Sequence, residues 1–377
     1  MAKQTTTQKP TPLQGFNESS TPLSKSQQQQ ATTSTPFQDL KELLTPLSDS
    51  QCVTYKHEVL ICGGRYQRAC YSYHTLKNEY KIICHYPSDV QLYGHCVVKL
   101  VDNNNKDTNQ ITLLSFGGSK HARHTLVMKY VNAWSNDNDN ESNILNKYNQ
   151  WIPFTDNHNH PIQIGRYNDE YVGVRAVIGG RNNHLLFITY SPKNISVFDL
   201  NTFKFIKHDT LPTNNYINFH CFVSKSREQE MMKTNEEKNE QNYRMLLFCF
   251  ETGLSMEYDE NNNTFQFHQL SVCDNLKPFF QYAYVCINDV ILFFGGYDWH
   301  KEVVSKSVHK YSIRENKWIT FQNTLPSPLH SCVAILSEDS TCVHIIGGYS
   351  EKNKIVPTHV KTKLYLWDVP HLVCLFK

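Results

Sequence analysis

The sequence is poor in charged residues and in alanine, and it lacks a long uninterrupted apolar run. Charged residues make up 19% of the chain and the formal net charge is +2, which argues against a strongly basic nucleic-acid-binding protein. Scarce alanine beside 21 tyrosines and 20 phenylalanines favours strands over helices. The longest apolar stretch, residues 279–294, is interrupted by Asn288 and Asp289. It therefore predicts two strands joined by a turn rather than a membrane span.

The cysteines argue against a disulfide scaffold. Twelve cysteines in 377 residues are too few for one, and the sequence contains no CxxC pair. Most of them stand inside apolar, strand-like runs, which is typical of small buried side chains in a reducing compartment. The N-terminal residues contain no apolar segment of the kind found in signal peptides. We therefore expect a cytoplasmic protein that binds neither membranes nor nucleic acid.

The chain divides into a polar tail and a folded part. Residues 1–36 consist largely of threonine, glutamine, serine and proline, and a glutamine run occupies positions 27–30. Such a composition cannot supply a hydrophobic core, so it predicts a disordered tail. The folded part then comprises residues 37–377.

An internal repeat runs through the folded part. A diglycine follows an apolar run four times: at Gly63 and Gly64, Gly117 and Gly118, Gly295 and Gly296, and Gly347 and Gly348. Two further apolar runs end without glycines, at Thr189 and Glu251. The six marks therefore fall at positions 63, 117, 189, 251, 295 and 347. A fifth diglycine, Gly179 and Gly180, precedes its apolar run and is assigned to a turn.

A pair of aromatic residues accompanies most of these marks. The two members are seven residues apart in four units: Tyr73 with Tyr80, Phe198 with Phe205, Tyr258 with Phe265, and Tyr311 with Trp318. In the second unit an asparagine-rich insert interrupts the turn, and Tyr130 with Trp151 is taken as the equivalent pair. In the sixth unit Trp367 is expected to end the third strand.

The order apolar strand, diglycine, tyrosine, turn and tryptophan resembles the kelch repeat. The resemblance implies an all-β protein, a six-bladed kelch-type β-propeller (galactose oxidase/kelch type) with four-stranded antiparallel blades over residues 37–377. Glycine suits the diglycines because it permits close backbone approach, whereas a phosphate loop would need further motif residues that are absent. Residues 37–44 are expected to close the sixth blade, with residues 371–377 as the competing strand.

Blade topology sorts the connecting loops onto two faces. In a blade with strands a to d, the b–c and d–a loops share one face, and the long polar inserts at 101–110, 132–150 and 225–242, with residues 259–263, share the other. The first face carries aromatic and cationic side chains typical of binding hot spots: Arg65, Tyr66, Arg68, His121, Arg123, Tyr297, Trp299 and His300. We predict that this face binds a protein or an acidic peptide, as a scaffold or adaptor would, and that the protein is a monomer without a cofactor.

Histidines at the starts of inner strands are the first candidates for a metal site. His95, His220 and His330 occupy such positions, while the other blades offer Ser50, Gly173 and Tyr282. We expect the three imidazoles to bond neighbouring loop backbone, and treat them as weak metal candidates. A second weak pair, His158 and His160, stands in a polar d–a loop.

Catalytic motifs are scarce. Proteins with kelch-type propellers include copper radical oxidases, sialic-acid epimerases and iron-dependent specifier proteins, but the ExxxDxxxH pattern of the last group is missing, as are GxSxG and HExxH. The sequence therefore predicts a non-enzymatic protein-interaction module. The alternative is a small-molecule enzyme, either an epimerase or a metal-dependent oxidase or lyase, that uses the mouth of the central channel.

Overall fold

Six antiparallel four-stranded sheets follow one another along the chain, in a computed structural model that describes residues 36–101, 109–134, 148–224 and 242–369. Each sheet is one blade of a β-propeller, so the predicted six-bladed all-β fold is confirmed. The compact unit spans Thr35–Lys377. The predicted disordered tail, most of the three long inserts and the C-terminal strand candidate lie outside the described residues. Within them, no helix is long and apolar enough to cross a membrane.

The first three blades have uninterrupted a-to-d order. Blade 1 consists of Gln51–Tyr55, Glu58–Gly64, Gln67–His74 and Glu79–His85. Blade 2 consists of Cys96–Leu100, Gln110–Gly117, His124–Val131 and Ile152–Pro153. Blade 3 consists of Glu170–Gly179, Leu185–Ser191, Asn194–Asp199 and Lys204–Thr210.

Of the last three blades, blades 5 and 6 have short extra strands in their b–c loops. Blade 4 consists of Cys221–Ser224, Asn242–Cys249, Thr252–Asp259 and Thr264–Leu270. Blade 5 consists of Ala283–Ile287, Val290–Phe294, Val308–Ser312 and Lys317–Thr320, with a hairpin of Tyr297–Asp298 and Val303–Val304. Blade 6 consists of Val333–Leu336, Cys342–Ile346, His359–Lys363 and Phe37–Asp39, and Leu329–His330 pairs with Tyr349–Ser350 beside it.

The ring is closed by the N-terminal strand. Phe37 lies opposite Thr362 in the antiparallel pairing, and the Thr362 hydroxyl donates a hydrogen bond to the carbonyl of Pro36 at 2.8 Å. The buried Phe37 ring contacts the rings of Trp367 and Phe294, at centroid distances of 5.7 and 6.4 Å. Strand Phe37–Asp39 therefore covers an edge of blade 6 that would otherwise be open for pairing with another chain.

The predicted aromatic pairs lie directly opposite each other on neighbouring strands in four blades. Their ring centroids are 5.0 Å apart in blade 1, 5.1 Å in blade 3, 4.8 Å in blade 4 and 4.9 Å in blade 5. In three of these blades the first aromatic is a tyrosine whose hydroxyl donates to the side chain of an asparagine five residues later in the turn: Asn78, Asn263 and Asn316. Each asparagine has a positive φ, a conformation that asparagine tolerates better than most residues.

Two aromatic assignments were wrong. Trp151 does not pair with Tyr130. Its ring stacks on Tyr86 at 4.7 Å, between blades 1 and 2, because the pairing of Val127 with Ile152 shifts the outer strand relative to the other blades. Trp367 does not end a strand either. It lies in a short 3-10 helix, Leu364–Trp367, and is fully buried against the N-terminal strand.

The diglycines are positions of close backbone approach. Gly347 has a φ of 64°, and a Cβ at this position would lie 2.3 Å from the carbonyl oxygen of Leu47 in the next loop. Any other residue would push the two loops apart. The glycine pairs therefore set the spacing between neighbouring blades, as the repeat predicted.

Closure by Phe37–Asp39 predicts a difference between two truncations. Deleting residues 1–45 removes the outer strand of blade 6 and the Phe37 ring from the core, so we expect a large fall in melting temperature. Deleting residues 1–34 leaves this strand in place and serves as the control. Melting followed by circular dichroism measures both, and equal melting temperatures for the two truncations would contradict closure by the N-terminal strand.

Candidate binding site at the channel mouth

A belt of six residues, one from each blade, surrounds the mouth of the central channel on the face of the b–c and d–a loops. Each stands near the start of an inner strand and has a φ between 48° and 72°. The belt residues are Asp49, Gly94, Gly173, Phe219, Gln281 and Ser331. Backbone N–H groups donate to the carbonyls of neighbouring belt residues, from 49 to 331, 331 to 281, 219 to 173 and 173 to 94, at 2.8 or 2.9 Å.

The belt is asymmetric because only four of its members carry a side chain. Four non-glycine residues in the left-handed region each cost on the order of 1 kcal/mol, which the belt hydrogen bonds help to offset. At the glycine positions, a side chain would collide with a neighbour: a Cβ at Gly173 would lie 2.7 Å from the Phe219 ring. Glycine therefore provides the space that this ring occupies. The side chains of Asp49, Phe219, Gln281 and Ser331 border a cavity of about 170 Å³.

Arg175 supplies a positive charge to this cavity. It lies on the inner strand of blade 3, two residues after the belt residue Gly173, where the pairing with the next strand resumes after a bulge. One guanidinium nitrogen donates to the carbonyl of Val174 at 2.8 Å, and the group lies 5.8 Å from the centre of the Phe219 ring. The guanidinium is thus fixed in place while other N–H groups remain for a ligand.

Asp49 supplies a buried carboxyl group to the same cavity. The residue is 6% exposed, and its Oδ2 has no hydrogen-bond partner within the protein. Burial raises the pKa of Asp49 to about 6, against the opposing effects of a hydrogen bond from Ser331 and of the charges on Arg175 and Arg65. A carboxyl with this pKa exchanges protons near neutral pH, which is a property of acid–base catalysts.

A second cavity of about 370 Å³ lies outside the first, and Gln281 and Ser331 belong to both walls. Arg65 and Tyr66, two of the predicted partner-binding residues, line it. The Arg65 guanidinium lies 4.6 Å from the centre of the Tyr93 ring and 5.7 Å from that of Tyr66. The two cavities together run from the loop face down to Asp49.

The remaining predicted partner-binding residues are spread over the face. Arg68 donates to the carbonyl of Tyr86 at 3.1 Å. Arg123 donates to the carbonyls of Arg166 and Tyr167 in the next loop, so its guanidinium is already engaged. His121 is exposed on the b–c loop of blade 2. The guanidinium groups of Arg68 and Arg123 are therefore already bonded within the protein, and a role of this face in partner binding stays a prediction.

Trp299 and His300 line a separate groove of about 650 Å³. The Trp299 side chain is 56% exposed and that of Tyr216, in the d–a loop after blade 3, is 70% exposed. Phe250 and Phe280 stack on each other at 5.2 Å in the same groove. Tyr297 does not line this groove, because its ring stacks on His330 at 4.9 Å.

The three candidate histidines do not converge on a common point. His95 Nε2 lies 2.9 Å from the carbonyl oxygen of Cys62, and His220 Nε2 lies 2.6 Å from the Thr189 hydroxyl. Burial lowers the pKa of His95 and of His330 to about 4 and that of His220 well below its ordinary value, so all three are neutral. His330 was also misaligned, since Cys332 is the residue of blade 6 at the position of His95.

Asp49, Arg175, Gln281 and Phe219 were not predicted from the sequence. The repeat contained the signal, since five belt residues stand two positions before their inner strand and Gly173 stands two positions before the pairing of its strand resumes at Arg175. Gly173 was predicted to be equivalent to Ser50 and His95, although it is equivalent to Asp49 and Gly94, so the position of Asp49 was overlooked. Nothing in the residue types could have revealed the belt, because its six members share a backbone conformation and not a chemistry.

Comparison with known proteins supports the fold. No protein-family model and no curated protein matches the chain. Solved structures of similar fold include one titled "Structure of YjhT", with a TM-score of 0.56 and 12% identity over 85% of this chain and 95% of that one. Another is titled a novel fungal alcohol oxidase of the AA5 family in complex with copper, with a TM-score of 0.49 and 11% identity over 84% of this chain and 62% of that one. The resemblance to kelch-type propellers is thus confirmed as a resemblance of fold.

The same comparison corrects one expectation. The prediction that the chain is not an enzyme was wrong as drawn, because it rested on missing motifs, and the propeller fold that the comparison supports at a TM-score of 0.56 is one that the resemblance also associates with enzymes. The lack of familiar catalytic motifs therefore does not separate this chain from enzymes.

The raised pKa predicts that Asp49 destabilises the folded protein at neutral pH. The unfolded chain loses this proton near pH 4, whereas the folded chain retains it up to about pH 6. The penalty is therefore absent below pH 4 and complete above pH 6, where two pKa units correspond to about 3 kcal/mol. Asp49→Asn should raise the free energy of unfolding by up to this amount at pH 7.5 and leave it nearly unchanged at pH 4, as measured by urea denaturation.

Asp298 provides the matched control for this prediction. It is as buried as Asp49, but its carboxylate accepts hydrogen bonds from the backbone amides of His300 and Lys301. Asp298→Asn should not stabilise the protein at pH 7.5. A destabilised Asp49→Asn variant at that pH would show that the hydrogen bond from Ser331 outweighs the cost of burying the Asp49 charge.

Proposed function

We propose that the protein binds a small hydroxylated anion at the channel mouth and that Asp49 transfers a proton to or from it. The observation that carries this proposal is the Asp49 carboxyl, which is buried in the wall of the cavity that Arg175 also lines and whose Oδ2 has no hydrogen-bond partner within the protein. A buried acidic group with one unsatisfied oxygen costs stability, and such a cost is common where function requires it.

The lining of the inner cavity suggests the chemistry of the ligand. An arginine recognises carboxylate or phosphate through paired N–H groups. Asp49, Gln281 and Ser331 offer acceptors and donors suited to hydroxyl groups. A cavity of about 150 Å³ accommodates benzene, so the inner cavity, at about 170 Å³, has room for one six-membered ring. A monosaccharide acid carries this combination of groups; its ring would fit the inner cavity, and its substituents would extend into the adjoining one.

The proposed reaction class is acid–base catalysis. With a pKa of about 6, Asp49 populates both its protonated and its ionised form near neutral pH. A carboxylate so placed can accept a proton from a hydroxyl group, or from a C–H beside a carbonyl, and return it. The nearby Arg175 would stabilise negative charge that develops on the ligand during this step.

We also propose that the protein works in a reducing compartment such as the cytoplasm. Eleven cysteines of the described residues are free thiols, and six of them are buried. Unpaired thiols in this number are typical of proteins kept in reducing surroundings.

A ligand panel tests the proposal. Thermal shift with glucuronate, galacturonate and gluconate, each beside its uncharged parent sugar, should identify an acid that raises the melting temperature more than its parent. Arg175→Gln should abolish the difference between acid and parent, because it removes the paired N–H groups. Proton exchange of the bound acid in D₂O, followed by NMR, should fall at least about 100-fold in Asp49→Asn.

Arg123→Gln is the control for charge on the same face, since Arg123 is already bonded to the next loop. It should leave both the thermal shift and the exchange unchanged. If no acid of the panel binds, or if Arg123→Gln acts like Arg175→Gln, the channel mouth is not the site.

A second candidate function is the binding of a protein partner in the groove beside Trp299. Exposed aromatic side chains on rigid loops are typical anchors of protein interfaces, and Trp299 and Tyr216 are both more than half exposed. The stacked rings of Phe250 and Phe280 offer an apolar floor, and Lys277 and Glu251 provide one charge of each sign at its edge. We propose a peptide segment that inserts one apolar side chain.

Peptides selected from a display library on the wild-type protein test this second candidate. Trp299→Ala should weaken a selected peptide at least tenfold without lowering the melting temperature, because hot-spot truncations typically cost about 2 kcal/mol. Tyr167→Ala, which removes an exposed aromatic side chain from another loop, is the control. Equal losses in both variants, measured by fluorescence polarisation, would argue against the groove.

A further inference from the structure

A short hairpin between blades 2 and 3 projects two imidazoles and a carboxylate to the surface. The hairpin is fixed at its base, where Ile162 N–H donates to the carbonyl of Phe154 at 2.8 Å and Thr155 bridges to Pro161. The buried Phe154 ring contacts the ring of Phe203 at 5.7 Å. The base of the hairpin is therefore anchored in the core, and this anchor positions the tip of the hairpin.

The tip brings Asp156, His158 and His160 together. One potential ligand atom from each of the three lies within 4.8 Å of the others, and they are the one such cluster of histidine, cysteine or acidic side chains in the part of the chain that the structure describes. The rings of His158 and His160 lie nearly parallel, with centroids 6.0 Å apart. Both imidazoles are exposed and can be reached from solvent.

The hairpin itself orients the carboxylate. Asp156 Oδ1 accepts hydrogen bonds from the backbone amides of His158 and His160 at 2.8 and 2.9 Å. Oδ2 lies 3.1 Å from His160 Nδ1. One oxygen therefore supports the loop, and the other faces the imidazoles.

The distances suit a transition-metal ion. Zinc lies about 2.0–2.2 Å from nitrogen and oxygen ligands, so two ligands of a tetrahedral ion are about 3.4 Å apart. Asp156 Oδ2 and His160 Nδ1 already have nearly this separation. The His158 ring has to move by little more than an ångström to complete the set, and its exposure allows this rotation.

We propose that Asp156, His158 and His160 form a binding site for a divalent transition-metal ion, with Zn²⁺, Co²⁺ and Ni²⁺ as the class. Two imidazoles with one carboxylate select these ions over Mg²⁺ and Ca²⁺, which prefer oxygen ligands. Three protein ligands leave at least one coordination position for water or for a ligand from another molecule. The site is separate from the channel mouth and does not depend on the function proposed there.

Isothermal titration of untagged, full-length protein with Zn²⁺ tests the site. We expect binding of one ion per chain, and Co²⁺ should give visible absorption bands of a nitrogen- and oxygen-ligated ion. His158→Ala with His160→Ala should weaken Zn²⁺ at least tenfold and remove the Co²⁺ bands. Asp156→Asn keeps an acceptor for the two backbone amides but loses the charge, so it should weaken Zn²⁺ while the melting temperature stays the same.

A control variant replaces two exposed histidines on outer strands, His85→Ala with His268→Ala, and should bind Zn²⁺ as the wild type does. Equal binding by the wild type and the His158/His160 variant would overturn the proposal, as would the lack of any Zn²⁺ binding. Mg²⁺ that competes with Zn²⁺ at similar concentration would overturn the assigned class of metal.

Discussion

The hydrogen-bonded belt around the channel mouth is the constraint on which the propeller depends. Each belt residue turns the chain with a positive φ from a d–a loop into an inner strand, and the amides of four of the six donate to the belt residue of a neighbouring blade. Backbone groups at the narrowest part of the ring are thereby satisfied without side chains. The inner strands of all blades therefore begin at the same height in the ring. As a result, the diglycines and aromatic pairs of one blade are aligned with those of the next.

Because the belt is built from backbone, its side chains are free to differ between blades, and this freedom creates the site. Glycines at 94 and 173 make room for the Phe219 ring, on which Arg175 rests. Asp49, Gln281 and Ser331 occupy the opposite side. A ring of nearly equivalent positions thus becomes a cavity with a cation on one wall and a proton-exchanging acid on the other.

The fold could be predicted from the sequence because its determinants are residue types at fixed spacing. The diglycines, the aromatic pairs seven residues apart and the isolated Phe37 are each required by packing, and packing requirements of this kind are visible as residue types in the sequence. The site could not be predicted in this way, because a positive φ leaves no mark in a residue such as Gln281 or Phe219. Binding residues also cannot be predicted from surface residue types alone, because some of these side chains bond to a neighbouring loop of the protein, as Arg123 does. Trp151 was misplaced for a related reason, since a shifted register in blade 2 has no local signal.

Closure by Phe37–Asp39 also decides how the chain can fold. The hydroxyl of Thr362 and the carbonyl of Pro36, which meet at this seam, are 326 positions apart in sequence. The N-terminal strand is synthesised first, but its partner strand is synthesised only near the end of the chain, so the two cannot pair until then. Contacts so distant in sequence slow folding, since the entropy of closing the loop is lost before any contact repays it. The seam therefore makes the propeller a slow, cooperative folder whose last blade is assembled from the two ends of the ring.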